Sequence, residues 1–257
     1  MTWALRILCC IALGFCCANS VAWEKFDFHY SVFALASGDS DSWGTAFVID
    51  DKGTMLTANH VIVALAGHLN TLGVKLRLQD NQGLWMPIKV VVQRDDLDIA
   101  VLRPLIPIGS PERHGTAPPF QPLDLDSRVQ VNVTEPVYIV GFPVNVEPYL
   151  KEELDQLNPV PNSLKVRELM LQLDPLVTTA TVAGVAHRLG PPNVENKGRW
   201  LVNLNYLVLN HPSGHGNSGG PVVSEKTGKV IAVLTRGKDS DKDSYSFAVP
   251  ILKSRMF

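Results

Sequence analysis

The 257-residue chain has four cysteines, and Cys9, Cys10, Cys16 and Cys17 all lie within its first 17 positions. From residue 18 onward there is none. That excludes disulfides, thiolate nucleophiles and cysteine-ligated zinc from the rest of the chain. Charge of one sign is also lacking: 23 Lys+Arg stand against 25 Asp+Glu, a formal net charge of −2. Without a basic surplus to neutralise phosphates, nucleic acid is not an expected partner. No internal repeat, low-complexity tract or heptad pattern occurs. His29, His68, His114, His187 and His211 share no metal-ligand spacing, so no metal site is expected. The chain does hold 46% hydrophobic residues, enough for a proper core, and wholesale disorder is excluded.

The amino terminus reads as a secretory signal over residues 1–22. Arg6 precedes the apolar run Ile7–Cys17, and Ala18-Asn19-Ser20-Val21-Ala22 offers small residues for cleavage after Ala22. The apolar run is too short to span a bilayer comfortably, so no stable membrane span is expected once the segment is removed. An uncleaved anchor is the alternative. Export without later cysteines suggests a secreted or periplasmic protein of a bacterial envelope.

The remainder is a succession of short β-type runs separated by turns. They are Tyr30–Ala36, Gly44–Ile49, Thr54–Thr57, Val74–Leu78, Ile88–Gln93, Ile99–Leu102, Val129–Val133, Val137–Val140, Val177–Ala186, Leu201–Leu209, Val230–Leu234 and Tyr245–Val249. Asp50–Gly53, Gln79–Gly83 and Glu225–Gly228 carry turn chemistry between neighbouring runs. A dozen short strands with few helical patterns indicate an all-β sandwich or barrel. Pro104–Pro122, with six prolines, reads as a link between two β halves. Tyr149–Leu173 has leucines at 150, 154 and 157, a helical spacing, and reads as an insertion.

Three places carry chemistry. In Gly214-His215-Gly216-Asn217-Ser218-Gly219-Gly220-Pro221, glycines permit a sharp turn that can lift the Ser218 hydroxyl towards a substrate. The same turn can point the Gly216 and Ser218 amides into one small space, where they would stabilise an oxyanion. In Thr57-Ala58-Asn59-His60, a histidine stands at the end of a strand. In Asp95-Asp96-Leu97-Asp98-Ile99-Ala100, an acid enters an apolar strand, so Asp98 would be partly buried and need a partner, which the ring N–H of His60 would supply.

At these motifs the chain resembles the trypsin-like, chymotrypsin-fold serine peptidases, and among them the bacterial Deg/HtrA type. Gly216-Asn217-Ser218-Gly219-Gly220-Pro221 has that branch's pattern, and Ser246-Phe247-Ala248-Val249-Pro250-Ile251 its closing strand. The resemblance implies two six-stranded antiparallel β-barrels with the site between them. Residues 23–122 would form the first, with His60 and Asp98, and residues 123–257 the second, with Ser218 and the helical insertion. It implies base, orienting acid and nucleophile roles for His60, Asp98 and Ser218, with Gly216, Asn217 and Ser218 forming an oxyanion hole. Only seven residues follow Pro250, too few for the peptide-binding domain that usually follows in that branch.

The expected activity is hydrolysis of a protein or peptide substrate by a secreted serine endopeptidase through an acyl-enzyme. The alternative is a catalytically inactive binding module on the same barrels. Pro212 falls where the resemblance puts the pocket floor, which argues against a preference for Arg or Lys. Ser213 and Thr235 are candidate pocket walls, and Leu234–Gly237 a candidate strand for pairing with substrate backbone. Two specificities stand open: an aliphatic side chain, or an acidic one held by Thr235, Arg236 or His215.

Overall fold

The computed structural model describes residues 28–37, 42–67, 72–77, 83–105, 120–126, 131–143, 174–187, 205–238 and 245–251. The expected signal (1–22) and the helical insertion (149–173) lie outside these, as do residues 106–119 of the proline-rich link.

Among the described residues, twelve strands form two closed barrels, and every pairing of these strands is antiparallel. The first comprises β1 (Val32–Ser37), β2 (Trp43–Val48), β3 (Met55–Ala58), β4 (Leu72–Arg77), β5 (Gly83–Arg94) and β6 (Ile99–Pro104). The second comprises β7 (Pro136–Gly141), β8 (Leu176–His187), β9 (Asn205–Leu209), β10 (Pro221–Ser224), β11 (Val230–Lys238) and β12 (Tyr245–Pro250). Their strand orders, β1-β2-β3-β6-β5-β4 and β7-β8-β9-β12-β11-β10, are the same topology used twice. The sequence repeat behind it is not visible, because a barrel needs only alternating apolar positions and not particular residues.

Period-2 alternation explains the layering. In β1, Phe33 and Leu35 face the interior of the first barrel with Val48, Met55 and Leu102. Val32 and Ala34 point the other way, into a cluster shared with Tyr138, Val140, Phe142 and Val233 of the second barrel. In β7, Val137 and Ile139 face the second barrel's interior, while Tyr138 and Val140 join that shared cluster. Strands at the seam are thus buried on both faces, and a nearly unbroken apolar sequence follows. The chain crosses between barrels at residues 120–126, where Leu123 N–H donates to Val48 and Asp126 N–H to Val230.

Two expectations need correction. The run at Val129–Val133 is not a strand over its described part: Val133 lies in a turn whose next residue, Thr134, has φ +72°. Asp98 ends the turn that leads into β6, which starts at Ile99 as expected, and its φ is +50°. Its side chain is partly buried, as expected. His60 is not at the strand end itself: β3 stops at Ala58, and His60 is the second residue of a short helix, α1 (Asn59–Ala64). One strand escaped the sequence reading: β10, four residues long and opened by a proline, is too short to show a pattern.

Candidate active site

The site lies where elements of both barrels meet. Helix α1 begins after Ala58, whose side chain cannot cap it. Asp98 does so from a distant segment: its carbonyl accepts the Asn59 N–H at 3.0 Å and its Oδ1 the His60 N–H at 2.9 Å. The second carboxylate oxygen, Oδ2, is 2.9 Å from His60 Nδ1. The left-handed backbone at Asp98 aims carbonyl and carboxylate at the same helix start, and aspartate tolerates that region better than most residues. Neighbouring Asp95 is exposed and accepts from Asn59 Nδ2 at 2.7 Å, while Asp96 pairs with Arg94 on the surface.

The glycine-rich turn enters from the second barrel. Gly216 and Gly219 have φ of +92° and +90°, a region open to glycine and strained for other residues. A Cβ on Gly216 would meet the Phe142 carbonyl at 2.2 Å, and one on Gly219 the Thr45 carbonyl at 2.2 Å. The turn is tied into both barrels: Gly219 N–H donates to Leu234 O at 2.7 Å, and Thr45 N–H of β2 donates to Ser218 O at 2.9 Å. The Asn217 amide donates to Gly214 O at 3.3 Å. The Gly216 and Ser218 amides have no acceptor among the described residues.

His60, His215, Gly216 and Ser218 line one cleft of about 320 Å³, together with Ser42, Trp43, Val61, Ala64 and Leu65. The structure therefore brings the base candidate, the serine and Gly216 to one cleft. Asp98 stands behind His60, hydrogen-bonded to it. The Ser218 hydroxyl, however, donates to the Thr235 carbonyl at 3.0 Å, and no hydrogen bond joins it to His60.

The residues suggested for substrate contact are dispersed. His215 is exposed on the cleft wall. Pro212 is exposed and Ser213 half-buried, and neither lines the cleft around Ser218. Leu234 is buried in the second barrel, and its backbone N–H and carbonyl are engaged with Gly220 and Gly219. Thr235 is buried, with its hydroxyl on the Phe247 carbonyl at 3.1 Å. Arg236 lies on β11, and its side chain is outside the described part. Two residues that the sequence reading did not connect with the site belong to it. Trp43 borders the cleft and donates its indole N–H to Phe142 O at 3.0 Å. Thr45 is fully buried and touches the glycine-rich turn. The available signal was a hydroxyl in the apolar run Trp43–Val48, since buried polar groups seek partners.

The trypsin-like peptidase domain family matches residues 44–233, which include parts of both barrels and the motifs of His60, Asp98 and Ser218. The chain belongs to that family. This trypsin-like domain also has structural neighbours at low sequence identity, which speak for the fold. Deg5 is 19% identical with a TM-score of 0.59, over 92% of this chain and 90% of that one. The Rv3671c protease from M. tuberculosis in its active form is 18% identical with a TM-score of 0.54, over 86% and 76%. The HtrA-type protease AlgW, solved with a tripeptide, is 17% identical with a TM-score of 0.54, over 88% of this chain and 58% of that one. No curated protein matches the chain.

Proposed function

We propose that this trypsin-like domain is an exported serine endopeptidase in which Ser218 is the nucleophile, His60 the general base and Asp98 its orienting acid. The observation that carries this reading is the double hold of Asp98 on His60, by backbone N–H and by ring Nδ1, beside a cleft shared with Ser218. A carboxylate on Nδ1 keeps the proton there and leaves Nε2 as the acceptor, the tautomer a base needs.

In the proposed reaction, Ser218 Oγ bonds to the carbonyl carbon of a peptide as its proton passes to His60 Nε2. The carbonyl electron pair moves onto oxygen, and the Gly216 and Ser218 amides receive that oxyanion, each worth about 3–4 kcal/mol. His60 then protonates the leaving amine, giving an acyl-enzyme. Water, deprotonated by His60, releases the acid and restores Ser218. Before the first step the Ser218 hydroxyl exchanges its bond to Thr235 O for one to His60. Residues 1–22 would carry the chain out of the cytoplasm.

A fluorophosphonate probe tests the chemistry. The wild-type protein is expected to be labelled at Ser218, and the Ser218→Ala variant to lose labelling and about 10⁶-fold in turnover while staying folded. The rival reading, a binding module without activity, draws on the Ser218 hydroxyl's hydrogen bond to Thr235 O in place of one to His60. Absence of labelling at neutral pH would favour that rival.

A further inference from the structure

We propose that Thr45, on the first barrel, is a positioning residue that holds the oxyanion-binding amides of the second barrel in line. Its buried hydroxyl donates to the Gly216 carbonyl at 2.7 Å and accepts from Phe142 N–H at 3.2 Å. Its backbone N–H donates to Ser218 O at 2.9 Å. One residue of β2 therefore binds the carbonyls of the two residues whose amides remain without acceptors. Thr45 is itself fixed, because Thr57 Oγ1 on β3 donates to its carbonyl at 2.7 Å. The Phe142 carbonyl, on the other side, takes the Trp43 indole N–H.

The physical need for such a hold lies in Gly216. A glycine at φ +92° is conformationally permissive, and rotation there redirects its N–H. The Gly216 carbonyl is buried with Thr45 as its donor, so detaching it leaves a buried acceptor unpaired. Turning Gly216 to find another donor moves the amide off line. The hydroxyl therefore penalises the misaligned turn. Thr45 touches no reacting atom, and its effect passes through Gly216 and Ser218.

This inference rests on the serine-peptidase reading, and the experiment separates the two. Wild type, Thr45→Val and Thr45→Ser are compared by the rate of fluorophosphonate labelling. They are also compared by inhibition with an Ala-Ala-Val peptide aldehyde and with the matching peptide alcohol, which forms no oxyanion. Thr45→Val keeps the shape and removes the hydroxyl. It is expected to slow labelling and weaken aldehyde binding about 10- to 100-fold, less than outright loss of a donor. Alcohol binding should stay within about twofold, and Thr45→Ser should restore the wild-type values. Thr45→Val labelling and aldehyde binding at wild-type levels would overturn the proposal while leaving Ser218 as the nucleophile. Parallel loss of aldehyde and alcohol binding, with a lowered melting temperature, would overturn it too, since that is general loosening. An unlabelled wild type would reject the peptidase reading itself.

Discussion

Asp98 supplies the N-terminal cap of the helix that carries His60, and the same carboxylate grips the His60 ring. Holding and orienting are thus done by one side chain, and two substitutions separate them.

Asp98→Asn keeps an oxygen for the His60 N–H and a residue type that tolerates positive φ, so folding should be little changed. The amide cannot stabilise an imidazolium, and its NH₂ group favours the wrong ring tautomer. Activity is expected to fall about 10⁴-fold. Asp98→Ala should lose activity and additionally about 1–2 kcal/mol of stability, from the missing cap. Melting curves of the two variants, run beside labelling assays, test the separation. Equal stability of the two would mean that the cap contributes nothing.

Asn59 extends this hold to a third segment. It is 5% exposed, donates to Asp95 Oδ1 at 2.7 Å, and accepts from Gln93 Nε2 at 2.9 Å. Asn59→Leu removes both bonds from a buried position, and about 1–3 kcal/mol of stability should go with them. Turnover is expected to drop about tenfold or less, since His60 keeps its own bonds to Asp98. Denaturant unfolding with steady-state kinetics on one sample checks both figures. A loss as large as that of Asp98→Asn would promote Asn59 to a main support of His60.

Much of this is legible in the sequence. The alternating runs and turn residues give most strands, and the three motifs lie on the elements that converge on the cleft. What could not be read is what depends on the partner barrel. The register of β2 against the glycine-rich turn decides that Thr45 meets Gly216, and no local pattern encodes a contact across 171 positions. The start of the strand at Ile99 is legible from its apolar run, but the positive φ of Asp98 is not: its carbonyl accepts the Asn59 N–H of another segment, and the chain turns to reach it. Helix α1 is six residues with two valines and an isoleucine, a composition that favours strands, and tertiary capping overrides it.

The turn between β2 and β3 is expected to give the protein part of its acid sensitivity. Burial acts to raise the Asp50 pKa, but hydrogen bonds from Thr54 and Lys52, with the charge of Arg103, outweigh it and leave the carboxyl below its ordinary 3.8. A depressed carboxylate contributes stability that is complete above the ordinary value and vanishes as pH falls through the native one. Asp50→Asn should therefore be less stable than wild type at pH 7, with the gap closing below about pH 4. Denaturant midpoints measured from pH 7 to pH 2 test this. A gap that stays constant across the range would exclude Asp50 as the source.

Gly219 tests how closely the barrels are fitted around the serine. A Cβ there would stand 2.2 Å from Thr45 O and 2.2 Å from Thr57 Oγ1, at φ +90°. Both obstacles belong to strands of the first barrel, and a backbone carbonyl cannot step aside as a flexible side chain would. Positive φ alone costs alanine about 1–2 kcal/mol, and overpacking adds about 1–3 kcal/mol. Gly219→Ala should therefore lose roughly 2–5 kcal/mol. Relief of the clash requires the turn to move away from β2, taking Ser218 with it, so activity should fall even in molecules that remain folded. Gly67→Ala is the control: nothing lies within 4 Å of its added Cβ, and its stability should stay within about 0.5 kcal/mol of wild type. If Gly219→Ala matched Gly67→Ala in both stability and labelling, the seam would be looser than these distances require.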